Sequence, residues 1–218
     1  MLDRLLDLLF PPKCVFCHSL LDEDDSKRGI CSSCYEKVIP SVHLFEGEFF
    51  DRGAAAYIYS GNIRESLHRF KFGGRKEYAS VYADLLMKAF GDSPLITEAD
   101  VIVSVPTNRF NLRKRGYDHT GLLAHRLAEK SGKDYLNVLS KTRRTRPMFG
   151  LKPNERKANI LGSIEVRSHA EQIGGKTVLL TDDIFTTGAT ASECARVLKQ
   201  AGAEKVFVIT VAKTEKSY

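Results

Sequence analysis

The chain has 218 residues, 43% of them apolar and 28% charged, with a net charge of +6. That length holds one α/β domain with a substantial core and a small appendage, and the composition is that of a soluble globular protein. No apolar stretch approaches the roughly 20 residues that span a bilayer, which excludes stable membrane insertion. The charge is unevenly spread: residues 1–50 carry 5 basic and 9 acidic side chains, net −4, whereas residues 101–160 carry 14 basic and 4 acidic, net +10. Such a basic segment is either a solvated face or the contact for an anion, a pyrophosphate or a nucleic acid strand.

In chain order, Met1 to Phe10 places Leu2, Leu5, Leu6 and Leu9 on one helical face. Asp3 and Asp7 interrupt it and no small-residue cleavage site follows, so it does not read as a secretion signal, and a cytoplasmic location is expected. Pro11 and Pro12 stop that helix. Two C-x2-C knuckles follow, Cys14 with Cys17 and Cys31 with Cys34. Each knuckle turn can aim two thiolates at one tetrahedral centre, and in a reducing compartment zinc is expected over two disulfides. Four thiolates fill the coordination sphere, so this zinc is structural. His18 is expected to face solvent and Asp22 to Asp25 to form an acidic loop. The ribbon lacks basic fingers, which suits bracing the main domain or docking another protein. Residues 1–50 are taken as this unit and 51–218 as the main domain.

Ala54 to Tyr59 suits a strand. Ile63, Leu67 and Phe70 have helical spacing, with Arg64, His68, Arg69 and Lys71 beside them, and Gly73-Gly74 is a hinge or a helix stop. Tyr78 to Phe90 reads as an amphipathic helix. Val101 to Val105 reads as a buried strand, followed by Thr107, Asn108 and Arg109, whose side chains can all donate to phosphate oxygens. A basic cluster, Arg113, Lys114 and Arg115, leads into a helix reaching about Lys130. Tyr135 to Leu139 is strand-like and precedes Arg143, Arg144 and Arg146. Pro153 marks a helix start, with Arg156 and Asn159 on one face, and Ser163 to Val166 is a short strand.

The stretch that organises the rest is Val178 to Thr190. Val178, Leu179 and Leu180 suit a buried parallel strand, and Asp182 and Asp183 follow where that strand is expected to end. Thr186, Thr187, Gly188, Ala189 and Thr190 then offer hydroxyls and open backbone N–H groups ahead of a helix over Ala191 to Ala201. Such a loop is an anion site, most naturally for a phosphate monoester, and two acceptor carboxylates beside it suit vicinal sugar hydroxyls. A ribose 5-phosphate satisfies both halves; a capped helix after a strand is the bland alternative. Gly202 stops that helix, in which Cys194 is expected to be packed, and Val206 to Val211 is a last strand.

This string resembles the phosphoribosyl pyrophosphate (PRPP) motif of type I phosphoribosyltransferases. The resemblance implies Asp182 and Asp183 as catalytic residues holding the ribose, Thr186, Thr187, Gly188, Ala189 and Thr190 for the 5-phosphate, and Thr107, Asn108 and Arg109 for the pyrophosphate, with Mg²⁺ entering with PRPP. Together with Cys14, Cys17, Cys31 and Cys34 and the Arg-Gly segment at Arg115, it is similar to the ComF family of competence proteins over roughly Cys14 to Ala212. Ser104, Tyr117, Asp118, His119 and Met148 depart from that family's usual residues.

The fold so implied is a parallel sheet flanked by helices behind a small four-cysteine zinc ribbon. The function implied is PRPP binding in natural transformation, where incoming single-stranded DNA is handled with a helicase and a recombination mediator. An active Mg²⁺-dependent phosphoribosyltransferase with an unknown acceptor is the alternative. Under the DNA reading the basic segment holds the strand's phosphates. Phe110, Tyr117 and Phe149 stand among its charges, with Phe110 and Phe149 expected in the core.

Overall fold

The computed structural model describes residues 11–143, 145–146, 150, 152–167 and 170–215. The leucine face before Pro11, Arg144, Met148 and Phe149 lie outside the described residues. No helix among the described residues is long and apolar enough to cross a membrane.

The N-terminal region carries two single-turn helices, α1 (Glu23–Arg28) and α2 (Ser32–Lys37). The acidic stretch expected to be a loop is therefore largely helical. Asp22 caps α1 by accepting from Asp25 N–H at 2.8 Å, and the acids of the first turn sit where the helix dipole favours negative charge.

The chain then forms β1 (His43–Phe45), β2 (Arg52–Ile58), α3 (Gly61–Phe72), α4 (Tyr78–Phe90), α5 (Pro94–Thr97), β3 (Val101–Ser104), α6 (Arg109–Arg115), α7 (His119–Ser131), β4 (Asp134–Leu136), β5 (Leu139–Lys141), α8 (Pro153–Ile160), β6 (Ile164–Val166), β7 (Thr177–Phe185), α9 (Ala189–Gln200) and β8 (Lys205–Lys213). The six-stranded sheet has the order β1-β2-β8-β7-β3-β4. All its pairs are parallel except β1 with β2.

β7 is central and covered on both faces, which is why its first half is uninterruptedly apolar: Val178, Leu179 and Leu180 are fully buried. Strand alternation sends Leu179 into one layer with Leu67, Phe70, Tyr82 and Leu123 of α3, α4 and α7. It sends Val178 and Leu180 into the other, with Cys194, Ala195 and Leu198 of α9. The ribbon is part of the first layer. Cys14, Val15 and Phe16 are fully buried, and Phe16 meets Tyr57 edge to face at 6.0 Å.

Three boundaries differ from expectation. β7 does not end before the acid pair; it runs to Phe185, because β8 continues to Lys213 and keeps pairing with it, Asp182 opposite Thr210 and Phe185 opposite Lys213. Ladder hydrogen bonds extend the strand beyond its apolar run. Tyr135 to Leu139 is two strands: β4 joins the main sheet, whereas β5 pairs antiparallel with β6. The basic cluster after β3 is the separate helix α6, closed by Gly116 in the left-handed region at φ 76° before α7 begins.

Candidate functional site: an acid pair and an anion loop at the end of β7

Because side chains alternate along a strand, the two adjacent acids of β7 point to opposite faces of the sheet. Asp183 is 2% exposed, on the face covered by α3 and α7. Its Oδ2 receives Lys71 Nζ at 2.9 Å and faces His119 Nε2 at 3.4 Å. Burial by itself would raise this carboxyl; Lys71 first and His119 second overcome that and hold it well below the usual carboxylate range. Asp182 is half-buried, and its Oδ1 accepts from the Asp183 backbone N–H at 2.8 Å. Burial, reinforced by the charge of Asp183, pushes Asp182 up to about 8. On its side of the sheet lies Lys141 of β5, lowered chiefly by its own burial.

The loop after β7 exposes Thr186 and Thr187, while Ala189 and Thr190 are half-buried. Gly188 takes φ 76°, and a Cβ there would lie 2.8 Å from the Phe185 ring, so both the backbone angle and the space call for glycine. The first intrahelical bond of α9 runs from Ser192 N–H to the Gly188 carbonyl at 2.8 Å, so the preceding N–H groups have no partner within the helix and lie at its positive end. Beside it opens a cleft of about 300 Å³ between Thr187 and Ser192 on one wall and Lys157 and Ile160 on the other.

At the end of β3, the Thr107 hydroxyl donates to Asp118 Oδ1 at 2.7 Å. Asn108 caps α6, its Oδ1 accepting from Phe110 N–H at 2.8 Å, and Arg109 is the first residue of that helix. Asp118 stands at the N-cap position of α7 without capping it by its side chain; its carboxylate instead accepts from Thr107 and Thr120.

The basic residues fall into two groups. Arg113 and Lys114 are exposed on α6, and the half-buried Arg115 lies over the Phe72 ring at 4.8 Å and reaches His119 Nδ1 at 3.2 Å. Arg143 donates to the carbonyls of Asn159 and Leu161 at 3.0 and 3.1 Å, and the backbone of Arg146 is bracketed by the Asn159 side chain. Asn108 Nδ2, reaching the Arg143 carbonyl at 3.5 Å, connects the groups.

The expectation for Phe110 is reversed. Phe110 is 52% exposed among the charges of α6, because α6 buries no residue, whereas Tyr117 is in the core and donates to the Phe70 carbonyl. Lys71 and His119 were not candidates from sequence. Lys71 lies 112 residues from Asp183, and nothing local to either residue signals the pairing.

The four knuckle sulfurs lie within 4.8 Å of one another, and all described cysteines are free. Cys17 Sγ and Cys31 Sγ are 3.6 Å apart, close to the roughly 3.8 Å edge of a tetrahedron with Zn–S bonds of about 2.3 Å. Burial opposes ionisation of Cys17, but hydrogen bonds from Ser19, Cys14 and Cys31 outweigh it and bring the thiol down to about 6. The donor set fits a structural zinc. His18, expected to face solvent, is half-buried at φ 65°, its Nε2 enclosed without a partner.

A family model described as a double zinc ribbon domain matches residues 5–44. Competence protein F of Haemophilus influenzae is 23% identical over 92% of this chain and 96% of its own length. The DNA utilization protein YhgH of Escherichia coli is 26% identical over 84% of this chain and 78% of its own, and competence protein ComFC of Bacillus subtilis 24% identical over 91% and 83%. Among solved structures, the glutamine PRPP amidotransferase from B. subtilis is similar at 24% identity and a TM-score of 0.40, with 63% of this chain covering 26% of that one. Orotate phosphoribosyltransferase from Aeropyrum pernix is similar at 17% identity and a TM-score of 0.40, over 83% and 91%. Over most of its length the chain is therefore similar to the competence proteins F and ComFC and to the DNA utilization protein YhgH, and it is built as a four-cysteine zinc ribbon joined to an α/β domain.

Proposed function

We propose that this protein binds a ribose 5-phosphate ligand of the PRPP type at the end of β7 and acts in natural transformation, in the uptake and handling of incoming DNA. The observation that carries the reading is the likeness to competence protein F across 92% of the chain. The loop supports the ligand half: a left-handed Gly188 opens unpartnered N–H groups at the start of the twelve-residue α9, directly after two carboxylates. In this reading Asp182 and Asp183 hold the ribose hydroxyls, and Thr186, Thr187, Gly188, Ala189 and Thr190 hold the 5-phosphate. Arg109, Asn108 and the backbone at Thr107 lie toward the pyrophosphate, whose charge Mg²⁺ neutralises on binding. Single-stranded DNA is the second ligand, its phosphates met by Arg113, Lys114, Arg115, Arg143, Arg144 and Arg146 and its bases by the exposed ring of Phe110. A helicase and a recombination mediator are the expected protein partners, and the cytoplasm the expected location.

Calorimetric titration of zinc-loaded protein with PRPP tests the first half. Binding in the micromolar range that requires Mg²⁺ and is lost in Asp182→Ala is expected; no heat at millimolar PRPP sinks the ligand assignment. For the second half, a labelled oligonucleotide should bind with an affinity falling steeply with salt, about one counterion released per phosphate contact, and Arg113→Ala with Lys114→Ala should flatten that slope.

A further inference from the structure

We propose that Lys71, at the end of α3, is a positioning residue of this ligand site: it orients the Asp183 carboxylate, and Arg69 fixes Lys71 in turn by anchoring the same helix turn to the first cysteine knuckle. The inference rests on the sugar-phosphate reading of the β7 loop.

A carboxylate this deeply buried needs a cation and fixed hydrogen-bond donors, since an unpaired one costs several kcal/mol. The far end of α3 supplies that cation by direct contact, through Lys71 Nζ at 2.9 Å from Oδ2. His119 Nε2 lies 3.4 Å from the same oxygen without hydrogen-bonding to it. A guanidinium N–H can only donate, so Arg115 assigns Nδ1 of His119 as the acceptor and Nε2 as the protonated nitrogen facing Asp183. Both contacts converge on Oδ2 of a side chain that is 3% exposed, so they fix the direction in which the carboxylate faces. The Lys71 side chain is 27% exposed and its ammonium has three donors, so it can serve Asp183 and still present positive charge toward an anionic ligand.

Three consecutive residues hold this turn by separate partners. Arg69 Nη2 donates to the carbonyls of Val15 and Phe16, at 3.1 and 2.5 Å. The Phe70 carbonyl accepts from Tyr117, and Lys71 grips Asp183. Val15 and Phe16 are the two residues between Cys14 and Cys17, so the geometry of the knuckle sets the position of the helix end. A path of direct contacts therefore runs from the ribbon to the acid pair. The charged and titratable groups around Asp183 are Lys71 of α3, Tyr82 of α4, Arg115 of α6, His119 of α7 and the adjacent Asp182.

The test compares Lys71→Met, Lys71→Arg and Arg69→Gln in the zinc-loaded full chain, by calorimetric titration with PRPP and Mg²⁺ and by carboxyl ¹³C titration of Asp183. Lys71→Met is expected to weaken binding about tenfold or more and to make it fall more steeply than in the unmodified chain as pH is lowered from about 8 to 6. Lys71→Arg should restore most of the affinity. Arg69→Gln should weaken binding by a smaller factor with one zinc per chain retained, and it carries the test alone if Lys71→Met does not fold. Unchanged affinity and an unchanged pH profile in Lys71→Met, or unchanged affinity in Arg69→Gln, overturn the proposal. If the unmodified chain binds no PRPP, the reading of the loop fails instead. The role of Lys71 is then decided by the ¹³C titration: an Asp183 that stays ionised between about pH 5 and 8 in Lys71→Met would refute it.

Discussion

At the scale of single residues the two acids of β7 give opposite contributions to stability as pH changes. Asp183 has a folded pKa below its unfolded value, so its contribution is complete above about pH 4 and is lost as pH falls through the folded value. Asp182 is the reverse. Unfolded, it ionises near pH 4; folded, it keeps its proton until about 8, so stability declines as pH rises between those values. Asp182→Asn should remove that decline and raise the melting temperature at pH 8 relative to the parent, by about 2–4 °C for each kcal/mol recovered. Thermal melts of both proteins at pH 5 and pH 8 check this; a parent whose stability is flat across that window contradicts the assignment. The acid pair and the threonines were legible as a motif. The different states of its two members were not, because they depend on burial and on Lys71 and His119, which arrive from α3 and α7.

At the scale of elements, the β7 loop and α9 depend on one backbone angle. Gly188→Ala combines a left-handed residue, about 1–2 kcal/mol, with a Cβ 2.8 Å from Phe185. It should lower the melting temperature and abolish PRPP binding together, measured by calorimetry on the folded variant; retained affinity would show that the anion does not sit at the start of α9. Truncation of the strand itself acts on packing alone. Leu179→Ala empties a fully buried position under α3 and α4 and should cost about 2–5 kcal/mol in chemical denaturation, far more than a change at an exposed α9 position. That β2, β3, β7 and β8 are strands followed from their apolar runs, whereas β1 and the split of β4 from β5 did not. Where β7 ends did not, because pairing with β8 carries it through two carboxylates that no periodicity favours.

At the scale of the molecule, the ribbon and the α/β domain share a core. Val15 and Phe16 pack with Tyr57, Leu67 and Phe70, so the free energy of metal binding stabilises the whole layer and not only the knuckles. Chelating the zinc should shift a single cooperative melting transition downward, seen by differential scanning calorimetry with metal content measured in parallel. A separate early transition with the main one unmoved would mean that the ribbon folds independently.

The cysteine spacing, the buried strands and the glycine and threonine loop could be read residue by residue, because each depends on chemistry within a few consecutive positions: two thiolates on one turn, a strand covered on both faces, backbone N–H groups left open by a small side chain. It took the packing of the chain to show that Lys71 and His119 converge on Asp183, that Tyr117 is core while Phe110 is exposed, and that Arg69 ties the first knuckle to the helix end beside the acids. Those are contacts between elements, set by how helices of one layer pack across a parallel sheet, and the residues that make them carry no local mark of their partners.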